Sequence, residues 1–421
     1  MAKLTPSSSN SGAVTVPRAW LAGLAVLLVV PWLVFAAISS LRSDTHGETD
    51  APAGLSAGAE RQAGDGPWGR LTLTPIVISP PLEYVSAEWG RNEPPVWAFP
   101  GVPLEDVGAF LSAAGASPEQ VTQLRQAARV EAGIQGTVIL PPPAVVRALS
   151  SDARARIYAQ LSKTPLNFDQ AQSFRFLGAT ADAWLGGSLM SPQTRALIEP
   201  LLYRDGPFLH FADIESIRAD VAGPDEMQRL AKTLLRSSTL VVELAIDRPA
   251  DVGGLAEYWG RGGRRTDIRP LLESIAGLGG MHIDIVHLLP AFARNYLYRY
   301  PKITTEDLNR PLLANCLWSS LNFFNQTPDD KFLDVNTALT ALRTNYYVVE
   351  HGYELGDIVA LLDQDGDLFH VAVYLADGLV FTKNGTSPVA PWTIMALSDL
   401  TAFYRRRTET PRLIYHRLNA Y

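Results

Sequence analysis

Hydrophobic residues form one uninterrupted run near the start of the chain. Ala19 to Leu41 contains no charged side chain. As a helix this run would be about 34 Å long, which is enough to cross a bilayer. The basic residues Lys3 and Arg18 precede it and acidic residues follow it. The positive-inside rule therefore predicts a single-pass membrane protein, with residues 1–18 as a cytoplasmic tail and 19–41 as a transmembrane helix.

The segment after this run has a different composition. Small residues after Phe35 leave open a cleavable signal peptide, although the apolar part of a signal peptide is usually shorter than this run. Residues 42–69 are rich in glycine, alanine, serine and charged residues, with almost no large apolar side chains. Such a composition cannot offset the entropy of ordering, so we predict a flexible linker there.

Between residues 70 and 300 most apolar positions follow the helical period. Several of these segments open with a capping residue, such as Ser117 followed by Pro118. Two segments look like strands instead: 71–79 alternates and is β-branched, and 240–246 is continuously apolar. The predicted helices cover 103–114, 117–132, 151–161, 191–202 and 224–235. The pattern therefore predicts a mostly helical middle domain, whose role it leaves open.

After residue 300 the pattern changes to a helix followed by strands. A short apolar helix is predicted over 315–325, and the turns Asp365-Gly366 and Asp377-Gly378 separate apolar runs, as in hairpins. The predicted strands are 357–362, 369–375, 379–382 and 412–418, with further helices near 336–343 and 398–406. We therefore expect an α+β protein with a transmembrane helix, a mostly helical middle domain and a C-terminal antiparallel-sheet domain over 301–421.

Composition and charge exclude several classes of protein. The chain has 421 residues, a net charge of −7 and one cysteine. One cysteine forms no internal disulfide and no zinc site built on several thiolates. The acidic balance argues against nucleic acid as a partner, because neutralising phosphates needs an excess of basic residues. We expect no cofactor and no metal.

The single cysteine is placed where a nucleophile could be activated. Asn315 is a good N-cap residue, which puts Cys316 in the first turn of the predicted helix. The free amides and the dipole at a helix start favour the thiolate, which is the nucleophilic form. The alternative is that Cys316 is a small buried apolar residue, as most free cysteines are.

A histidine on a predicted strand could serve as the base for this thiol. His370 opens the run HVAVYLADG, and a strand histidine facing a helix-start cysteine is typical of papain-like cysteine enzymes. Along the next strand Val380, Thr382 and Asn384 share one face. Asn384 is the preferred residue to orient the imidazole, and Thr382 is the second choice. The alternative is that His370 only caps a backbone group.

These residues carry a resemblance to a known family. The C-terminal region resembles the NlpC/P60 superfamily of cell-wall cysteine hydrolases in three pieces, which come in the same order. The pieces are Asn315-Cys316 at a helix start, Gly356-Asp357-Ile358-Val359 at a strand start, and residues 370–378. The resemblance implies a papain-like core that cleaves amide bonds in peptidoglycan stem peptides. It also implies a bacterial inner-membrane location with the main body in the periplasm, and peptidoglycan or an envelope protein as partner.

The sequence departs from that family at two points. Leu317-Trp318 stands where the family usually has Ser-Gly, and Asn384 or Thr382 would replace its third catalytic residue, usually a histidine. Of the tyrosines upstream of the cysteine, Tyr300 is the one we expect on the oxyanion side. We therefore predict a membrane-anchored envelope hydrolase with a Cys316–His370 pair. The alternative is a catalytically inactive scaffold or binding protein.

Three other motifs are weaker. Asp363, Asp365 and Asp367 lack the glycine and acid that an EF-hand loop needs, so they predict a solvated hairpin turn. The glycine-rich, basic segment 260–265 could bind an anion through its amides and arginines, but is more simply an exposed loop. The spacing of the two histidines within 281–287 does not suit a helical metal site.

Overall fold

The computed structural model describes residues 61–62, 64–85, 94–247, 251–302, 313–405 and 410–419. The predicted tail 1–18 and the predicted transmembrane segment 19–41 lie outside these residues, as does most of the predicted linker.

The described part of the chain contains sixteen strands in four antiparallel sheets. The strands are β1 (Arg61–Gln62), β2 (Arg70–Ile78), β3 (Trp97–Phe99), β4 (Ala128–Glu131), β5 (Gly136–Ile139), β6 (Phe174–Leu177), β7 (Tyr203–Asp205), β8 (Phe208–Phe211), β9 (Ser237–Ile246), β10 (Met281–Asp284), β11 (Tyr346–Val349), β12 (Ile358–Leu362), β13 (Leu368–Ala376), β14 (Leu379–Lys383), β15 (Trp392–Ala396) and β16 (Arg412–Leu418). The sheet orders are β1-β2-β9-β10, β3-β5-β4, β6-β8-β7 and β11-β16-β12-β13-β14-β15.

The helices of the described residues are mostly short. They are α1 (Leu104–Ala113), α2 (Pro118–Gln126), α3 (Pro143–Ala148), α4 (Ser151–Leu161), α5 (Phe168–Ala171), α6 (Ala181–Leu185), α7 (Pro192–Ile198), α8 (Ile214–Ile217), α9 (Gly223–Leu234), α10 (Val252–Trp259), α11 (Arg265–Gly277), α12 (Ala291–Tyr296), α13 (Cys316–Leu321), α14 (Val335–Asn345) and α15 (Leu397–Phe403). Several begin as their sequence predicts: at the start of α2, Ser117 and Gln120 form a reciprocal capping box.

The two long predicted strands of the middle region are confirmed and pair with each other. In the four-stranded sheet, β2 and β9 are antiparallel over the whole of β2, from Arg70↔Ala245 to Ile78↔Ser237. Pro75 lies inside β2 and pairs with Leu240. One face of this sheet is apolar, and residues such as Leu71 and Val242 are fully buried there.

The predicted meander near the C-terminus is also confirmed. Strands β12, β13 and β14 follow one another in the chain and in the six-stranded sheet. The turn between β13 and β14 is tight, with Asp377 and Gly378 both at positive φ. Glycine tolerates this conformation without strain, which explains the Asp-Gly signal in the sequence.

One large core joins the two largest sheets. Leu244 of the four-stranded sheet and Val373 of the six-stranded sheet belong to the same cluster of buried residues, together with Leu317 of α13. Polar contacts also connect the sheets: the Thr239 hydroxyl donates to the Ile394 carbonyl at 3.0 Å and accepts from the Ile394 N–H at 3.0 Å. The C-terminal sheet is therefore packed against strands that belong to the middle of the chain.

No helix in the described ranges is long and apolar enough to cross a membrane, and the predicted segment 19–41 lies outside those ranges. The predicted fold class is wrong about the middle of the chain, because the described residues between 70 and 300 contain nine strands in three sheets and are not mostly helical. The protein is an α+β protein with antiparallel sheets. The missed strands, such as β3 and β7, are three or four residues long and carry no period that a sequence pattern could reveal.

One predicted helix illustrates this correction. The pattern predicts a helix over 117–132, but α2 ends at Gln126 and Ala128–Glu131 forms β4, which pairs with β5. Arg129 and Val130 on this strand are exposed, so the alternation of a half-buried strand is absent.

Candidate functional site

Cys316 is the first residue of α13, as its sequence predicts. Asn315 is the N-cap residue, and its Oδ1 accepts a hydrogen bond from the Trp318 N–H at 2.9 Å. The Ser319 hydroxyl donates to the Asn315 carbonyl at 2.7 Å, which further fixes this first turn. Cys316 itself is partly exposed.

Aromatic packing holds α13 against the C-terminal sheet. Trp318 is buried and makes edge contacts with Phe292 and Tyr296 of α12. The indole N–H of Trp392, on β15, donates to the Ser319 hydroxyl at 2.8 Å. These contacts on several sides of the helix leave little freedom to the residue at its start.

The groups around the Cys316 sulfur act in opposite directions on its charge. Burial is the largest effect and raises the pKa of the thiol above its ordinary value. The backbone amides of Val371, Leu317 and Cys316, and the charge of Lys383, lower the pKa and offset part of this rise. The thiol is therefore protonated at neutral pH, in surroundings that contain four groups able to stabilise a thiolate.

Lys383, at the end of β14, is a site residue that the sequence pattern missed. It is fully buried, and its Nζ donates to the carbonyls of Gly385 at 2.8 Å and Ser387 at 3.1 Å. Burial lowers the pKa of Lys383 to about 8, while the neighbouring Cys316 thiolate acts in the opposite direction. The available signal was strand alternation, because Lys383 follows Leu379 and Phe381 on the core-facing side of β14.

His370, on β13, is buried and has a hydroxyl partner at each ring nitrogen. Its Nε2 lies 2.8 Å from the Thr382 hydroxyl, and its Nδ1 lies 2.9 Å from the Tyr404 hydroxyl. The Thr382 hydroxyl donates its proton to Oδ1 of Asn384 at 3.2 Å. Thr382 must therefore accept from an Nε2–H, so that Nδ1 is unprotonated and accepts from Tyr404.

The structure thus brings three of the predicted site residues together. Thr382 contacts the imidazole directly, and Asn384 acts on it through Thr382. Tyr404 follows α15 directly and was not identified from the sequence. In the sequence it stands directly before the arginine-rich segment 405–407.

The imidazole of His370 is held in its neutral form. Burial lowers the pKa of His370 to about 3. Burial also raises the pKa of the Tyr404 hydroxyl, and the charge of a Cys316 thiolate raises it further. The Cys316 thiol and the Tyr404 hydroxyl are therefore electrostatically coupled, and Tyr404 is in turn hydrogen-bonded to His370.

Cys316 and His370 approach the C-terminal sheet from different faces. Val371 packs with Cys316 in the large core, whereas Ala372, on the same strand face as His370, belongs to a smaller core. Among the described residues, the hydrogen bonds of the His370 ring end on Thr382 and Tyr404, and none reaches Cys316. Direct contact between the predicted catalytic pair is therefore not part of this conformation.

The two faces meet where β13 and β14 separate. The pairing of these strands runs from Ala376↔Leu379 to Val373↔Phe381 and does not continue to residues 370–372. The N–H of Val371 lies in this unpaired stretch and acts on the Cys316 sulfur instead. The end of this ladder therefore places the Val371 N–H where it can stabilise a Cys316 thiolate.

Tyr300 is engaged elsewhere. Its hydroxyl donates to the Ile78 carbonyl, at the end of β2, at 3.1 Å. Burial raises its pKa, so this hydroxyl stays protonated. The structure does not join Tyr300 to the hydrogen-bonded group around His370.

The weaker motifs of the sequence are explained by local structure. Oδ1 of Asp363 accepts from the N–H groups of Asp365 and Asp367, as expected of a hairpin turn. In the glycine-rich loop, Arg261 pairs with Glu354, and Gly262 packs against the ring of Phe324 at positive φ. The described residues contain no group of three or more His, Cys, Asp or Glu side chains that could hold a metal ion.

Comparison of the chain with protein-family models, with curated proteins and with solved structures finds no match. The resemblance to the NlpC/P60 superfamily therefore stays a prediction based on the motifs around Cys316 and His370.

Proposed function

We propose that this protein is a cysteine-dependent hydrolase of amide bonds, with Cys316 as the nucleophile. The observation that best supports this proposal is the set of groups around the thiol. The amides of Cys316, Leu317 and Val371 and the ammonium of Lys383 all favour the thiolate. A cysteine that serves only as a small apolar residue has no need of such groups.

In the proposed reaction the Cys316 thiolate attacks the carbonyl carbon of the substrate. A C–S bond forms and the carbonyl π electrons move to oxygen, where the N–H of Cys316 at the helix start donates to the oxyanion. Collapse of this intermediate breaks the C–N bond and leaves a thioester. Water then hydrolyses the thioester and restores the thiol.

The proton of the thiol needs an acceptor. The charge of the sulfur acts on the Tyr404 hydroxyl, but among the described residues no hydrogen bond joins the two groups, so the proposal requires them to approach each other. In the proposal this proton passes to the Tyr404 hydroxyl, whose own proton moves to Nδ1 of His370, and it is later returned to the leaving amine. Thr382 and Asn384 support this role because they hold the other ring nitrogen as N–H. Lys383 stabilises the thiolate.

The substrate class rests on the motifs alone. The resemblance to NlpC/P60 enzymes makes the amide bonds of peptidoglycan stem peptides the first substrates to test. The hydrogen bond between Tyr300 and the Ile78 carbonyl gives no support to an oxyanion role for Tyr300.

A second candidate function is favoured by one observation. Both ring nitrogens of His370 are occupied, and its pKa of about 3 makes it a weak base in this conformation. A binding protein that has kept a former active site as structural support would show the same features. In that case Cys316 and His370 stabilise the core and perform no chemistry.

Two measurements separate these candidates. The first is amine release from a panel of stem peptides, and the second is the rate at which iodoacetamide alkylates Cys316 as a function of pH. Both measurements use the full-length protein and the variant His370→Gln. The variant Cys316→Ala is added for amine release only, because it has no thiol to alkylate. His416→Gln is the matched control, because His416 is a partly buried strand histidine whose pKa is also lowered by burial.

If the protein is a hydrolase, Cys316→Ala has no turnover, His370→Gln has a turnover rate lower by about 100-fold or more, and the control variant keeps the wild-type rate. Full hydrolysis by Cys316→Ala would refute the proposed nucleophile. Absence of turnover, together with slow alkylation that His370→Gln leaves unchanged, would establish the binding protein.

A further inference from the structure

A second site lies where the middle of the chain meets the segment after α15. Three arginines, Arg156, Arg204 and Arg405, line a cavity of about 200 Å³ together with Tyr203. They come from three separate elements: Arg156 from α4, Arg204 from β7 and Arg405 from the turn after α15. The fold therefore assembles this group from distant parts of the sequence.

Each guanidinium is held in place by one contact. Nε of Arg156 donates to the Ala114 carbonyl at 2.8 Å, and Arg204 donates to the Ala179 carbonyl. Arg405 forms an ion pair with Asp205, with 3.1 Å between Nη2 and Oδ1. Among the described residues these are the only polar partners of the three guanidinium groups, so most of their N–H donors are available to a ligand.

The charges of this cluster are not balanced. Carbonyl groups are neutral, so the contacts of Arg156 and Arg204 leave their positive charges uncompensated. Asp205 is the one carboxylate among the lining residues. A local excess of two positive charges is unexpected in a chain whose net charge is −7. All three arginines are exposed, so water and salt partly screen their charges, and a bound anion would compensate the charge that remains.

The shape of the cavity suits a small ligand. Ala155 and Ala159 on α4 form part of its wall, and their short side chains leave the space between the arginines open. Tyr203, which is buried, also lines the cavity. Guanidinium groups donate in a planar fork that matches the oxygens of phosphate and carboxylate groups.

We propose that Arg156, Arg204 and Arg405 form a binding site for the phosphate group of a small molecule. Three guanidinium groups from three separate elements match the several oxygens of a doubly charged tetrahedral anion better than a single planar carboxylate. The site does not depend on the chemistry of Cys316, and it is independent of the proposed hydrolase function.

Binding can be measured by calorimetry with the full-length protein. The probes are inorganic phosphate and glycerol phosphate, each titrated at constant ionic strength, with chloride as the reference anion. The variants Arg156→Gln and Arg204→Gln remove one charge each and keep a hydrogen-bonding side chain. Arg129→Gln is the control, because Arg129 is an exposed arginine on β4 outside the cavity.

We expect saturable binding of at least one phosphate probe, weakened about tenfold by each cavity variant and unchanged by the control. Tighter binding of glycerol phosphate identifies a phosphate ester as the ligand, and tighter binding of inorganic phosphate identifies the free ion. No saturable binding of either probe, or equal affinity in the wild type and in both cavity variants, would overturn the proposal.

Discussion

The hydroxyl of Tyr404 lies 2.9 Å from Nδ1 of His370, and the two ring centroids are 4.6 Å apart. Tyr404 is therefore the first member of a hydrogen-bonded chain that continues through His370 and Thr382 to Asn384. Each proton in this chain has one acceptor, so a change at either end alters the imidazole between them. The state of His370 is set by residues from β14 and from the end of α15, as well as by its own strand.

Replacing Tyr404 by Phe removes the donor to Nδ1 and keeps the ring. We expect the unfolding free energy to fall by about 1–2 kcal/mol, because a buried acceptor loses its partner. If Tyr404 relays the thiol proton, alkylation of Cys316 also slows near neutral pH. Denaturant unfolding and the rate of alkylation by iodoacetamide measure the two effects.

The control for this variant is Tyr353→Phe. The Tyr353 hydroxyl donates to the Glu350 carbonyl at 2.9 Å at an exposed position, so its loss should change neither quantity. A Tyr404→Phe protein that loses stability but alkylates at the wild-type rate would exclude the relay and keep the structural role.

The stability of the protein should depend on pH through His370. The pKa of His370 is about 3 in the folded protein, below its ordinary value of about 6.5 in an unfolded chain. Between these pH values the unfolded state binds a proton that the folded state does not. The free energy of unfolding is therefore highest above about pH 6.5 with respect to His370, and it falls as the pH decreases toward 3. From pH 7 to pH 5 this loss amounts to about 2 kcal/mol.

Other groups titrate in the same range, so the comparison must isolate His370. The measurement is denaturant unfolding of wild type and His370→Gln at pH 7 and at pH 5. The wild type should lose more stability than the variant over this interval. Equal losses in both proteins would mean that His370 is protonated in the folded state, contrary to its burial.

Lys383 should control the acidity of Cys316. Replacing Lys383 by Met removes the one positive charge that lowers the pKa of the thiol. We expect the alkylation rate at pH 7.5, where Lys383 with its pKa of about 8 is still largely charged, to fall several-fold. The control is Lys331→Met, because Lys331 is exposed and pairs with Asp329. An unchanged alkylation rate at pH 7.5 in Lys383→Met would show that the two groups are not coupled.

The sequence pattern predicts the parts of this fold that depend on local signals. The helix start at Asn315-Cys316 follows from capping chemistry, and the hairpin at Asp377-Gly378 follows from the need for positive φ. The strand that places His370 and the strand that places Thr382 follow from short, nearly continuous apolar runs bounded by turn residues. Such signals involve residues close together in the chain, so one sequence is enough to reveal them.

Other parts of the site depend on contacts between distant segments, which leave no local pattern. Tyr404 meets His370 from α15, and Lys383 meets Cys316 across the end of a strand pair. Short strands of the middle region such as β3 and β6 are stabilised by pairing with residues more than 30 positions away in the chain. A sequence pattern also cannot show whether Thr382 or Asn384 contacts the imidazole of His370. In the structure the hydrogen bond to Nε2 comes from Thr382.

The position of Tyr404 depends on a contact from the middle of the chain. Arg175, on β6, donates from Nη1 to the Phe403 carbonyl at 2.6 Å, and its Cζ lies 3.4 Å from the centroid of the Phe403 ring. Phe208, on β8, contacts the same ring edge to face at 5.8 Å between centroids. The sheet that contains β6 and β8 therefore holds the end of α15, which is directly followed by Tyr404.

Replacing Arg175 by Ala should release this end of the helix and admit water to His370. Because burial alone lowers the pKa of His370 to about 3, hydration should raise it toward 6.5. NMR titration of the histidine ring signals measures this shift. The control is Arg195→Ala, since Arg195 pairs with Glu199 and Asp182 on the surface. A midpoint unchanged by Arg175→Ala would show that the C-terminal sheet holds Tyr404 on His370 without help from the middle of the chain.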